Sequence, residues 1–185
     1  SPADHLPRFS WLYLPLIGMA AQFVFEFFLP QEILARLHTE FGPHEMVQFL
    51  IIAAAFVFAV CIILKFQASQ PLWFKVWIGA AALCCLYVAG EEMSWGQHIW
   101  QWSTPEYWQM LNDQGETNLH NTSAWLDQKP RMILEIGVLA GGLIVPLLLR
   151  FNPHLLSQKF MLIYPTAQFM PITLLVLAVT IIDKI

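Results

Sequence analysis

From Met46 to Leu64 the chain presents one strongly polar side chain, Gln48, and from Leu72 to Gly90 only Lys75. A hydrocarbon core about 30 Å thick is crossed by about 20 mostly apolar helical residues, so each run has the length of a membrane span. This feature closes off most soluble architectures. Three further segments reach a similar length, and the expected spans are approximately 9–29, 45–66, 71–90, 132–150 and 160–182. The fifth carries Pro165 and Pro171, which a spanning helix tolerates where neighbours satisfy the freed carbonyls. Neither strand-like alternation nor an internal repeat is visible. The expected fold is all-α: a polytopic transmembrane helix bundle of about five spans, forming one domain over residues 1–185.

Composition narrows the function classes. Of the 185 residues 57% are hydrophobic and 12% charged, about half the usual charged fraction. A net charge of −4 with no basic cluster argues against nucleic acid as a partner. Cys61, Cys84 and Cys85 lie inside apolar runs and form neither a disulfide framework nor a CxxC metal site. The first apolar run lacks a basic leader and a small-residue cleavage site, so it reads as a retained span.

Five spans put the two short connections on one face and the longer ones on the other. Arg8, Lys65, Lys75, Arg150 and Lys159 fall on or near the short-loop face, whereas nearly all the acids fall on the opposite one. The positive-inside rule then makes the short-loop face cytoplasmic and turns the acidic connection 91–131 outward. In the fourth segment Gly137 and Gly141 make a GxxxG, a spacing that permits close helix approach.

The connection between spans three and four is about 40 residues long, and loops of that length rarely stay unstructured in a compact protein. It opens with GEEMSWGQHIW. If the third helix continues through it, Glu91, Ser94, Trp95, His98 and Trp102 recur at intervals of three and four and share one stripe. Ser103 or Thr104 then caps a short helix over 105–111, with Pro105 in its first turn. Trp95, Trp100, Trp102, Trp108 and Trp125 suit an interfacial aromatic belt. Ser94, Gln97, His98, Glu116, Asn118 and Asn121 supply a polar cluster inside it.

Glu91 and Glu92 sit where a carboxylate costs several kcal/mol unless it reaches water or a partner. Being consecutive, they point in different directions, so one can turn inward while the other reaches solvent. The inward one is expected to meet groups delivered by the returning loop, with Asn118 and His120 the leading candidates. Two roles fit: a buried acid satisfied by indole, hydroxyl or amide donors, or a ligand or general base. Glu91, His98 and His120 together are chemically adequate for zinc with an open position. The spacing fixes none of these roles.

The elements GEEMSWGQ at 90–97 and QGETNLHN at 114–121 resemble those of a group of uncharacterised bacterial polytopic membrane proteins that share GEExSWGQ and QGExNLHN around one loop. Gly42-Pro43-His44-Glu45 is similar to a further segment of that group. The resemblance implies a multi-pass fold in a bacterial cytoplasmic (inner) membrane but no activity. It also implies Arg at position 98, where this chain has His. A more distant similarity, matching only Glu91 or Glu92, Ser94 and His120, is to the ceramidase-like zinc hydrolases of membranes.

Two functions are expected from these readings. The first is a non-catalytic membrane subunit or scaffold that docks another membrane protein or lipid through its helices and aromatic outer layer. The alternative is an intramembrane hydrolase or transferase, with zinc as its candidate cofactor, acting on a lipid-linked substrate with Glu91, Glu92 and His120 as its catalytic groups.

Overall fold

The structure, a computed structural model, describes residues 7–39, 42–112, 115–119 and 122–183. It is all-helical, with no strand among the described residues. Four stretches are long and apolar enough to cross a membrane: Phe9–Phe28, Pro43–Leu64, Leu72–Glu92 and Gln128–Phe151. The chain divides into two compact units, one of residues 30–127 and one of residues 1–29 with 128–185.

The first of these units is built on a helical hairpin. Helix α2 (Gln31–Leu37) follows Pro30 and carries Glu32 in its first turn and Arg36 in its last, each sign matching the helix dipole. Gly42, just before α3 (Pro43–Leu64), donates its N–H to the Thr39 carbonyl at 2.7 Å, and a Cβ there would lie 2.6 Å from that oxygen. Pro43 at the first helical position and Glu45 in the first turn start α3. Helix α4 (Leu72–Glu92) returns antiparallel to it, and Gln48 Nε2 near the start of α3 donates to Glu92 Oε1 at the end of α4, at 3.0 Å. The residues that α4 buries are small or polar, Ala82, Ala89 and Glu91. Small side chains let helices approach closely where lipid supplies no hydrophobic drive.

In the other unit, a π turn at Phe9–Tyr13 runs into α1 (Leu14–Phe28). Within α1 Gln22 Nε2 donates to Glu26 Oε1 at 2.7 Å, one turn apart. Helix α7 (Ala124–Leu139) continues through a second π turn, Ala140–Ile144, into α8 (Val145–Phe151), and α9 (Met170–Asp183) follows.

The helix expected over 160–182 is not continuous. Residues 153–169 form short 3₁₀ turns, and regular α-helix begins only at Met170. The apolar helix there, Ala167–Ile181, is shorter than the four long stretches. Pro165 accounts for the break: it has no N–H for a helical ladder and disfavours helix at the residue before it. Thr166, just after it, is extended. Pro171 is accommodated in the first turn of α9, where its missing N–H would have no partner in any case. The 14 residues of α9 rise about 21 Å, short of a bilayer core about 30 Å thick.

The close approach in this unit is made by a glycine outside the GxxxG pair. Nothing lies within 4 Å of a Cβ placed on Gly137, and Gly141 would meet only Pro165 Cγ at 3.6 Å. A Cβ on Gly142 would overlap the buried side chain of Thr173 on α9.

Candidate functional site: a polar clasp at the end of α4

Helix α4 stops at Glu92 and does not carry the stripe expected from Glu91 to Trp102. Ser94, Trp95 and Gly96 take φ values of 43°, 55° and 93°, three left-handed residues in succession. Only the glycine adopts such a conformation without strain. The chain therefore reverses sharply after Met93, makes one helical turn, α5 (Gln97–Trp100), and turns again at Gln101, where φ is 53°.

The reversal lays the Trp95 indole back on α4. Its Nε1 donates to Glu91 Oε1 at 2.7 Å, and its ring lies edge-on to Tyr87, 6.3 Å between centroids. Gly90 is the seat for that ring, since a Cβ there would stand 2.8 Å from the indole. Glycine, acid, serine and tryptophan in the first motif thus have connected roles: a flat seat, an acceptor, a polar pivot and a ring.

The second motif closes over the first. Leu119 N–H donates to Glu91 Oε2 at 2.7 Å, so both oxygens of this buried carboxyl group accept hydrogen bonds. The group that the returning loop brings to Glu91 here is thus a backbone amide rather than the Asn118 side chain. Asn118, 1% exposed, bonds elsewhere. Its Nδ2 donates to Glu116 Oε2 at 2.5 Å and to Ser94 Oγ at 3.1 Å, and its Oδ1 accepts from Asn112 Nδ2 at 2.8 Å. Ser94, also 1% exposed, donates from Oγ to Glu116 Oε2 at 2.7 Å. Gln97 Oε1 accepts from Thr117 N–H at 2.7 Å and from the Thr117 hydroxyl. Five hydrogen bonds therefore join residues 91–97 to residues 116–119.

The intervening stretch of chain is tied into the same network. Helix α6 (Glu106–Leu111) starts after Pro105 with no side-chain cap. Thr104, expected as a candidate cap, instead accepts from Gln97 Nε2 at 2.7 Å and donates its hydroxyl to the Gly115 carbonyl. Its own carbonyl accepts from Gln109 Nε2 at 2.7 Å. Trp102 Nε1 donates to Thr117 Oγ1 at 3.1 Å. Asn112 Oδ1 accepts from Glu116 N–H at 3.3 Å, and Gly115 takes a φ of 68° in the turn that follows. The sequence pattern does not place Asn112, Thr104 or Thr117 in the polar cluster. Asn112 has one legible signal, an Asn at a helix end three residues before a glycine, which is turn chemistry.

Outside this clasp, Glu92 is half-buried and meets Gln48. Trp100 and Trp125 are 76% and 65% exposed, Trp95 and Trp102 are exposed over part of their rings, and Trp108 is half-buried. His120 and Asn121 lie outside the described residues, as does the side chain of His98. Two of the three groups considered for zinc are thus undescribed. Among the described residues no group of three His, Cys, Asp or Glu side chains is gathered closely enough to hold a metal ion.

The clasp is inverted relative to a water-facing loop. Its buried side chains are mostly polar, Glu91, Ser94, Thr104, Asn112, Glu116 and Asn118, with Met93 the apolar exception. Its exposed ones include Ile99 at 58%, Trp100 at 76%, Tyr107 at 65% and Met110 at 77%, beside the polar Gln101, Ser103, Glu106 and Gln109. Water would favour the opposite sorting. Comparison of the chain with protein-family models, with curated proteins and with solved structures finds no match.

Proposed function

We propose that the protein is a non-catalytic membrane subunit or scaffold that docks another integral membrane protein through the aromatic outer face of residues 99–111. The inverted sorting carries this reading. Polar side chains that a catalytic centre would direct at substrate are turned on one another, and Ser94 and Asn118 are each 1% exposed. The apolar side chains they support point outward, with no core of their own to join. Aromatic residues and methionine are the side chains enriched where proteins meet. The two motifs that resemble the bacterial membrane group are the two halves of the clasp, so their residues have a structural task. The resemblance to bacterial membrane proteins favours a bacterial inner membrane as the setting, and the charge distribution favours this face outward.

The test is co-purification from membranes in mild detergent. Replacing Trp100, Tyr107 and Met110 together by Ser should remove a stoichiometric membrane-protein partner while helix content and monodispersity stay unchanged. Retention of the same partner by the triple variant, or purification of the wild type with no protein partner at all, would count against docking by this face. Release of a fatty acid or head group from membrane lipids by the purified chain, abolished by Glu91→Gln, would favour the hydrolase reading instead.

A further inference from the structure

The connection between α8 and α9 is long in sequence but short in reach. Its 3₁₀ turns are hydrogen-bonded in succession: Leu155 N–H donates to the Asn152 carbonyl at 3.1 Å, Phe160 N–H to that of Ser157 at 3.1 Å and Ile163 N–H to that of Phe160 at 3.0 Å. By Pro165 the chain is back beside Gly141, where a Cβ would meet Pro165 Cγ at 3.6 Å. Gly141 precedes Phe151, the end of the long apolar stretch, by ten residues, or about 15 Å along the helix. At about 2 Å per residue in the turns and about 3.3 Å in the extended residues between them, residues 152–164 span about 30 Å at most. The return inward uses about 15 Å of this, so the segment can rise only about 8 Å above the helix end. That is about the thickness of the head-group layer on one side of a bilayer.

What the segment exposes there is apolar and basic. Phe151, Leu155 and Leu162 are 70%, 65% and 69% exposed, so they belong to no core of this chain. Arg150 and Lys159 stand on either side of Leu155 in sequence, and both are exposed. Neither makes an ion pair with a described acid. Lys159 Nζ lies 5.4 Å from the centroid of the Phe160 ring, a contact that leaves its charge uncompensated. The sequence has no acid at all between Glu135 and Asp183.

Depth and charge together select the partner. A surface confined to the head-group layer meets lipid, and one that carries cations beside apolar side chains with no acid suits a head group of net negative charge with acyl chains beneath it. A protein interface would need this face clear of the membrane, and the cores of such interfaces are depleted in lysine. We propose that residues 150–162 form a docking surface for anionic phospholipid, with Arg150 and Lys159 on the phosphates and Phe151, Leu155 and Leu162 among the upper acyl chains. A guanidinium can fork onto two phosphate oxygens, and an ammonium group binds as a point charge. The surface does not depend on the docking role of residues 99–111, and its test leaves that face untouched.

The full chain, purified in detergent and delipidated, would be titrated with phosphatidylglycerol and phosphatidylcholine of identical chains, and the bound lipid counted by native mass spectrometry. Each cation near an anionic surface adds about fivefold, so phosphatidylglycerol is expected to bind at least about tenfold more tightly. Arg150→Gln with Lys159→Gln, both at exposed positions, should reduce that preference to within about twofold at unchanged helix content. Arg36→Gln, on α2 of the other unit, should keep it. A polarity-sensitive dye on Leu155→Cys should emit as from a membrane interface in nanodiscs containing phosphatidylglycerol. The proposal is overturned if the wild type shows no preference, if the double variant retains it, if Arg36→Gln loses it equally, or if the dye at position 155 emits as in water. Loss of an acidic protein from the double variant, with the lipid preference intact, would identify a protein surface and overturn it as well.

Discussion

Residues 91–119 and the contact of the π turn Ala140–Ile144 with α9 both hold chain segments together at a place where hydrophobic burial gives little help, and they do so by opposite means. At the end of α4 the contact is polar and reciprocal: Glu91, Ser94 and Gln97 on one side meet Leu119, Glu116, Asn118 and Thr117 on the other. Between α8's preceding π turn and α9 the contact is steric, a glycine without a side chain set against the buried Thr173. A hydrogen-bonded clasp tolerates little, since every atom removed leaves its partner unsatisfied in a buried place. A steric contact in lipid fails more gently, because two helices can slide apart and let lipid follow.

The difference is tested hardest at Asn118. Its amide makes bonds to Ser94, Glu116 and Asn112, all buried. Asn118→Ala would remove these three hydrogen bonds from a buried network whose members keep other partners, and a loss of about 3–4 kcal/mol in the local stability of the clasp is expected. Amide exchange in a lipid nanodisc reads this directly: residues 104–119 should exchange at least about 100-fold faster, while α3 and α4 keep their protection. Unchanged exchange would mean that the clasp does not depend on its central side chain.

Gly90→Ala probes the same region with a single methyl group. Its Cβ would stand 2.8 Å from the Trp95 ring, so the indole must lift and its bond to Glu91 must break. Overpacking and one lost hydrogen bond to a buried carboxyl group together amount to about 2–3 kcal/mol. The near-ultraviolet circular dichroism and emission of Trp95, compared with a Trp95→Phe control, should report the displaced ring.

How far the sequence reveals these two regions follows from what each depends on. The four long apolar stretches are legible because length and hydropathy are local properties. The polar members Ser94, Gln97, Glu116 and Asn118 are legible as a set, since side chains of that kind have no reason to cluster among tryptophans unless they meet one another. Their geometry is not legible. Glu91, Ser94, Trp95, His98 and Trp102 have helical spacing, yet α4 ends at Glu92, because long-range bonds hold Ser94 and Trp95 in a conformation that neither residue favours. Only Gly96 advertises the reversal. Thr117, and Asn112 beyond its turn signal, go unread for a related reason: their partners, Gln97 and Asn118, become neighbours only after the chain has turned back. The same holds for α9, where Pro165 forecasts a break but not how much of the segment gives up regular helix.

The steric region is sharpened by two glycines five residues apart, with the smallest effects. Gly137 belongs to the GxxxG spacing and has open space where a methyl group would go, whereas Gly142 lies outside that spacing and faces Thr173. Gly142→Ala forces the helix away from a β-branched side chain that has few alternative rotamers, and a loss of about 1–2 kcal/mol is expected. Gly137→Ala meets no neighbour and gains helix propensity, so it should be neutral or stabilising by up to about 1 kcal/mol. Both can be read from thermal unfolding in one detergent, with the double variant as a check on additivity. If Gly137→Ala destabilised as much as Gly142→Ala, the contact of this unit would follow the GxxxG spacing after all. The contrast expected between them ties the crossing to position 142, whose partner Thr173 is half of a contact that spacing within one helix cannot report.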